Sequence, residues 1–259
     1  MLYLISDIHG DVTSFRKMLK KISFDPATDQ MIVMGDIFDW NDEGIPLLEF
    51  MSDYLVDGSM QLIKGNHELF AQMYIEGSMS ERQWIIFGGG GTVRDIKKLN
   101  VDDQMKLHGY LAHLPHYTEI HSPKYGVCVI THPGIHCGSY VRNADRTINI
   151  TESITNAVGR DEYRFLISPD IHNVPFSDKK AFDRYVFCGH VTTNRLNEDH
   201  SYNDYCGQTV LFTLTMADGA QEKITAFNPF VIINGVGYKA KYEPCERLSR
   251  YANQLLSAG

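Results

Sequence analysis

The chain has 259 residues, of which 43% are hydrophobic and 22% charged, so it can bury a large core and does not fit the composition of a disordered chain. Its formal net charge of -8 argues against nonspecific nucleic-acid binding, because neutralising a phosphate backbone takes clustered Lys and Arg. A net negative protein can still act on phosphate esters where bound cations reverse the sign of the field inside a cleft. The N-terminal MLYLISDIHG carries no basic leader, and no stretch reaches the length of a bilayer span, so a cytoplasmic protein with no membrane partner is expected. Cys128, Cys137, Cys188, Cys206 and Cys245 are odd in number and include no CxxC pair, which disfavours a disulfide framework or a thiolate zinc site.

In chain order, Leu2 to Ser6 is an apolar run that ends in Asp7-Ile8-His9-Gly10. Asp11 follows as an N-cap, with helical spacing through Phe15, Met18, Leu19 and Ile22. The unit repeats: Gln30 to Met34 ends in Gly35-Asp36 and precedes a helical pattern from Ile45 to Leu55, with Asp42-Glu43 as a solvated cap before it. Met60 to Ile63 then ends in Gly65-Asn66-His67-Glu68, with a helix from Leu69 to Ile75. This spacing is about one βαβ unit each time. Parallel strands would deliver these polar tips to one sheet edge, where open α/β sheets hold their ligands.

Gly88 to Gly91 reads as a flexible or closely packed turn, and Val101 to Leu114 as a helix stopped before Pro115. Val127 to Thr131, Tyr185 to Cys188, Thr209 to Thr215 and Lys223 to Phe227 are β-rich, which predicts a second, more antiparallel sheet. Pro244 to Leu256 reads as a closing helix. No repeat or linker breaks the chain, so residues 1 to 259 are expected as a single domain, with 138 to 184 as an excursion over the cleft.

Asp7, His9, Asp36 and Asn66 all follow strands, as do the imidazoles of His132 and His190. A lone Asp after a strand is ordinarily a cap, and a lone His a surface or core residue. Five strand ends that all carry metal-competent side chains point instead to a common site. Two divalent ions about 3.5–4 Å apart need a shared carboxylate, and Asp36 on the central loop is the natural bridge.

These blocks, SDIHG, GDIFDW, GNHE, THPGI and CGHV, resemble those of the calcineurin-like metallophosphoesterase superfamily. GNHE is similar to the phosphoprotein phosphatase branch, which holds bacterial and phage Ser/Thr phosphatases and symmetrical diadenosine tetraphosphatases. WIIFGGGGT from Trp84 is a weaker echo of the same branch, and Thr192 stands where the wider superfamily has a further His. The resemblance implies a four-layer α/β/β/α sandwich with mixed sheets. It implies Asp7, His9 and bridging Asp36 on one metal, and Asp36, Asn66, His132 and His190 on the other. His67 would be the general acid, held and kept protonated by Asp39. Mixed N and O ligands suit manganese first, with iron or zinc as alternatives.

The resemblance breaks at two places. Where the branch has Asp-Arg-Gly this chain has Asp39-Trp40-Asn41, and the nearest echo of a Trp-Ile-Arg stretch, Phe165-Leu166-Ile167-Ser168, ends in Ser. The phosphate-gripping arginines of the family are therefore missing, with Asn41, Arg94, Arg142, Arg146 and Arg195 as replacements to consider. Trp40 could stack on an aromatic or nucleobase group or pack in the core. The expected function is hydrolysis of phosphate monoesters in the manner of Ser/Thr phosphatases, on a phosphoprotein or a small phosphate ester or nucleotide. The alternatives are a nucleotide phosphodiester or pyrophosphate hydrolase, such as a symmetrical dinucleoside tetraphosphatase, and a noncatalytic binding protein on the same fold.

Overall fold

The computed structural model describes residues 1–122, 125–168 and 181–190, together with the backbone of two strands at 210–215 and 221–227. Arg195 and the helix expected at 244–256 lie outside the described residues.

Alternation along the strands explains the layers. In β1 (Leu2–Ile5) and β2 (Gln30–Val33), Tyr3, Ile5, Met31 and Val33 point into one apolar cluster, while Leu2, Leu4 and Ile32 point into another. Successive side chains of a strand face opposite ways. A strand that is apolar at every position is therefore covered on both faces, which is the habit of parallel sheets. With β3 (Met60–Leu62) these strands run parallel, Leu2 opposite Gln30 and Met31 opposite Met60.

Two crossover helices cover the outer face. In α1 (Val12–Ile22) Asp11 caps the start by accepting from the Ser14 amide at 2.7 Å, and Phe15, Met18 and Leu19 reach the core. In α2 (Gly44–Val56) Ile45, Leu47 and Met51 do the same. After α3 (Asn66–Glu76) come α4 (Glu81–Ile86), α5 (Gly90–Ile96) and α6 (Val101–Ala112). The glycine run expected as a turn is closely packed at Gly88 and becomes the start of α5 at Gly90.

The second sheet places β5 (Gly126–Thr131) between β4 (Tyr117–Ser122), antiparallel to it, and β8 (Tyr185–Phe187), parallel to it. Cys128, Ile130 and Phe187 face the first sheet. Val129 and Val186 face outward under α7 (Ile150–Arg160) and α8 (Glu162–Ile167), and a short hairpin of β6 (Val141–Arg142) and β7 (Ile148–Asn149) precedes α7. The sandwich is thus four layers of mixed sheets and helices, as the resemblance implied.

One expectation is corrected. β9 (Val210–Thr215) and β10 (Gln221–Phe227) do not build the second sheet; they complete the first, in the order β3-β2-β1-β10-β9. The free edge of β1 accounts for this. β10 pairs with it in parallel, Leu4 opposite Ala226, and β9 returns antiparallel.

A buried charge cluster ties the layers together. Lys64 follows β3 with its side chain 1% exposed. Its Nζ donates to Gln72 Oε1 and Glu162 Oε1, each at 2.7 Å, and His116 Nε2 lies 2.7 Å from the same Glu162 oxygen. The hydrogen bond from His116 is the main reason Glu162 falls to a pKa of about 2, with Lys64 adding to it against the opposing effect of burial. Among the described residues no helix is long and apolar enough to cross a membrane.

Candidate metal centre

The strand-end loops are fastened to one another before any side chain is considered. The amide of Asp7 donates to the Gly35 carbonyl at 3.1 Å, that of His9 to Asp36 at 3.0 Å and that of Gly10 to Ile37 at 2.7 Å. Asn66 and His67 sit in the first turn of α3. Glu68 beside them is wholly buried; one carboxylate oxygen accepts the amides of Asp36 at 2.8 Å and Gly65 at 2.7 Å, and the other accepts that of Ile37 at 2.8 Å. Burial, then the charge of Asp36, raises the pKa of Glu68 to about 7.

The loops are strained. Asp7, His9, Asp36, Asp39, Trp40 and His190 all have φ between 50° and 71°, a left-handed region that costs a non-glycine residue on the order of 1–3 kcal/mol. Gly35 shows why the turns are so tight: at φ +86° a Cβ there would lie 2.7 Å from the Gly65 backbone and 2.9 Å from His132 Nδ1.

Asp36 is the hub, 2% exposed. Its Oδ2 lies 3.2 Å from His132 Nε2 and 3.8 Å from His67 Nε2, and its Oδ1 accepts the His67 amide at 3.1 Å. His132 Nε2 also meets Asn66 Oδ1 at 3.0 Å and His190 Nδ1 at 3.2 Å. Asp7 Oδ1 lies 3.9 Å from His9 Nε2, and its Oδ2 accepts the His190 amide at 3.1 Å. All six residues singled out as ligands thus converge.

These residues fit metal ions. His132 faces the Met34 carbonyl through Nδ1 at 2.7 Å and His9 the Phe38 carbonyl at 2.8 Å. Donation there fixes each ring and leaves Nε2 aimed inward, the arrangement metal-ligating imidazoles use. The ligand atoms of His9, Asp36 and His67, and those of Asp36, His132 and His190, lie within 4.8 Å of one another in each group. Two groups that share one carboxylate are what a dinuclear centre requires.

The electrostatics follow from burial working against Asp36. Burial would lower His132, but the charge of Asp36 and its hydrogen bond outweigh that and carry the ring to about 9. Burial also acts to raise Asp36, yet His132 and His67 together hold it well below the carboxylate range. Burial and the neighbouring imidazoles lower His9, and His190 falls to about 4 for the same reasons.

His67 stands apart. Its Nδ1 lies 2.6 Å from Asp39 Oδ2, which also accepts Trp84 Nε1 at 2.6 Å, while Thr92 donates to Asp39 Oδ1 at 2.6 Å. Burial would lower the pKa of His67, but Asp36 and then Asp39 raise it. Trp84, Thr92 and Glu68 were not singled out from the sequence. Glu68 was visible as the last letter of GNHE, and Trp84 as the first of its glycine-rich echo.

Three of the side chains considered as replacements for the family arginines have other partners. Asn41 Nδ2 donates to the His9 carbonyl at 2.8 Å, Arg94 pairs with Asp42 at 2.6 Å, and Arg142 donates to the Arg146 carbonyl at 3.0 Å. Arg146 occupies the β6–β7 turn at φ 73°. Two arginines without a sequence signal, Arg160 and Arg164, line a cavity of about 340 Å³ together with Gly134 and Ser168, and Arg160 also donates to the Gly138 carbonyl at 3.0 Å. None of the six candidate ligands lines this cavity, but Gly134 stands two residues after His132 in sequence, and Ile167, the neighbour of Ser168, accepts a hydrogen bond from His190.

The fold and this cluster define a member of a known family. The chain belongs to the calcineurin-like phosphoesterases, whose family model matches residues 2–194. It is 30% identical over 114 residues to a symmetrical bis(5'-nucleosyl)-tetraphosphatase of Thioalkalivibrio sulfidiphilus, covering 44% of this chain and 38% of that one. It is 27% identical over 135 residues to serine/threonine-protein phosphatase 2 of Escherichia coli K12, covering 51% of this chain and 59% of that one. The chain therefore spans well under two thirds of these relatives' lengths. A metallophosphoesterase structure from Sphaerobacter thermophilus is similar with a TM-score of 0.45 and 13% identity, over 88% of this chain and 75% of that one.

Proposed function

We propose that the protein hydrolyses phosphate monoesters at a dinuclear centre, with Asp7, His9, Asp36, Asn66, His132 and His190 as ligands. The observation that carries this reading is the position of Asp36 in both groups of ligand atoms, beside an imidazole held by Asp39. Two bound cations, manganese first, supply Lewis acidity that makes hydroxide available near neutrality and polarises the phosphoryl oxygens.

The chain's own residues do the rest. His67 protonates the departing oxygen, and Asp39 holds the ring through Nδ1 so that Nε2 carries the proton toward the cleft. Thr92 and Trp84 fix the Asp39 carboxylate in turn. Arg160 and Arg164, which line one cavity with Gly134 and Ser168, are the candidates to take over anion binding from the absent family arginines, although Arg160 also donates to the Gly138 carbonyl at 3.0 Å.

A second reading, hydrolysis of a nucleotide phosphodiester or pyrophosphate, is favoured by the same cavity, which could hold a further phosphoryl group, and by the relative named as a tetraphosphatase. A purely binding role gives the Asp39–His67 pair no work. The test is a substrate panel on the manganese-loaded protein with a phosphoserine peptide, p-nitrophenyl phosphate and diadenosine tetraphosphate. Turnover of the first two supports the monoester reading, turnover of the last alone supports the second, and no turnover of any rejects both.

A further inference from the structure

We propose that Trp40 is a stacking platform for the nucleobase of an ester substrate, an inference that rests on the phosphoesterase reading and names its substrate class. Tryptophan is on average a highly buried residue, and Trp84 is 0% exposed, yet Trp40 is 64% exposed. The chain holds it there at a cost. Trp40 has φ +62° directly after Asp39 at +71°, and such strain in a bulky residue is a pointer to function.

The indole is also held in place. The Trp40 amide donates to the Gly88 carbonyl at 3.1 Å. The indole lies against the bare Cα of Gly88, where a Cβ would stand 2.7 Å from its Cδ2. One part of the ring system is therefore backed by protein while most of it faces solvent, which is how a stacking surface is built.

The order of the rings selects the occupant. His67 and His9 stand edge to face with centroids 4.9 Å apart, and Trp40 stands edge to face with His9 at 6.5 Å. His67 must lie within hydrogen-bond reach of the departing oxygen. The ring of a phenyl ester, bonded directly to that oxygen, would lie beside His67 and His9. Trp40 makes its ring contact with His9, not with the phenyl position beside His67, so a flat group on a spacer, as the base of a nucleotide is carried on its ribose, is the occupant that would reach it.

Adenosine 5'-monophosphate and ribose 5-phosphate share one leaving oxygen and differ by the base, so they test the platform without changing the chemistry. With the manganese-loaded protein, Trp40→Ala is expected to raise KM for the nucleotide about tenfold, the worth of one base–aromatic stack. It should leave kcat and the sugar phosphate within about twofold, and Trp40→Phe should restore most of the loss. Equal effects on both esters, or none, overturn the platform. A phosphotyrosine peptide that responds to Trp40→Ala as strongly as the nucleotide overturns the spacer argument.

Failure of the wild type to hydrolyse either ester would instead reject phosphoesterase activity on these substrates. The platform is then judged by binding alone: saturable quenching of tryptophan emission by the nucleotide in the wild type, absent in Trp40→Phe, sustains it, and no quenching overturns it. Because the indole is mostly exposed, both variants should melt close to the wild type.

Discussion

His67 Nδ1 lies 2.6 Å from Asp39 Oδ2, and that contact fixes the His67 ring beside Asp36. A group whose task is to donate a proton matters in proportion to how badly the leaving oxygen needs one. His67→Asn should lower kcat on a seryl or sugar phosphate by about 10²–10⁴-fold, and Asp39→Asn by less. Both should affect p-nitrophenyl phosphate far less, because its phenolate leaves unaided. Steady-state kinetics on the two ester types check this, and equal losses on both would remove His67 from the role.

Asp36 belongs to both groups of ligand atoms, whereas His190 belongs to one. Asp36→Asn should therefore abolish binding of both ions, and His190→Asn should leave one. Elemental analysis after manganese loading and desalting reads the stoichiometry directly. Retention of two ions by the Asp36 variant would mean that the carboxylate does not bridge.

Glu68 touches no reacting group, but it gathers the amides of Asp36, Ile37 and Gly65. Glu68→Gln would turn an amide N–H toward those donors and loosen the loop that aims Asp36. Metal affinity should fall about 10–100-fold, the usual loss when support behind a ligand is removed. A manganese titration followed by calorimetry is the measurement, with circular dichroism to confirm the fold.

Glu162 predicts a pH effect on stability. Its folded pKa of about 2 lies below the ordinary 4.5, so its contribution to stability is complete above about 4.5 and fades as pH falls toward 2. Glu162→Gln should cost roughly 2 kcal/mol at neutral pH, discounted for partial exposure. The gap from the wild type should close in acid. Urea denaturation at pH 7 and pH 3 checks it; a constant gap would show that the ionised carboxylate is not the source.

Much of the site was legible because its chemistry is local. Each candidate ligand follows a strand, and a polar residue after an apolar run is visible without knowing where the strand goes. The parallel trio of β1, β2 and β3 was legible for the same reason, since the runs are apolar apart from Gln30 and Gln61. Partnership between distant strands was not. β9 and β10 carry ordinary β patterns, and only the vacant side of β1 decides which sheet they enter. β4 was missed because all but its last residue are exposed or half-exposed and its pattern, Tyr-Thr-Glu-Ile-His-Ser, is largely polar. Arg160 and Arg164 are surface arginines in one dimension and face a common cavity only in three.

The pairing of Leu4 with Ala226 also sets a timetable for biogenesis. A ribosome working at about 5–20 residues per second leaves the first strand waiting on the order of 10–40 s for its far neighbour. During that interval the nascent sheet presents a bare rim to the cell, the kind of edge that invites association with other chains. The candidate metal centre likewise closes late, because His190 is translated long after Asp7 and Asp36.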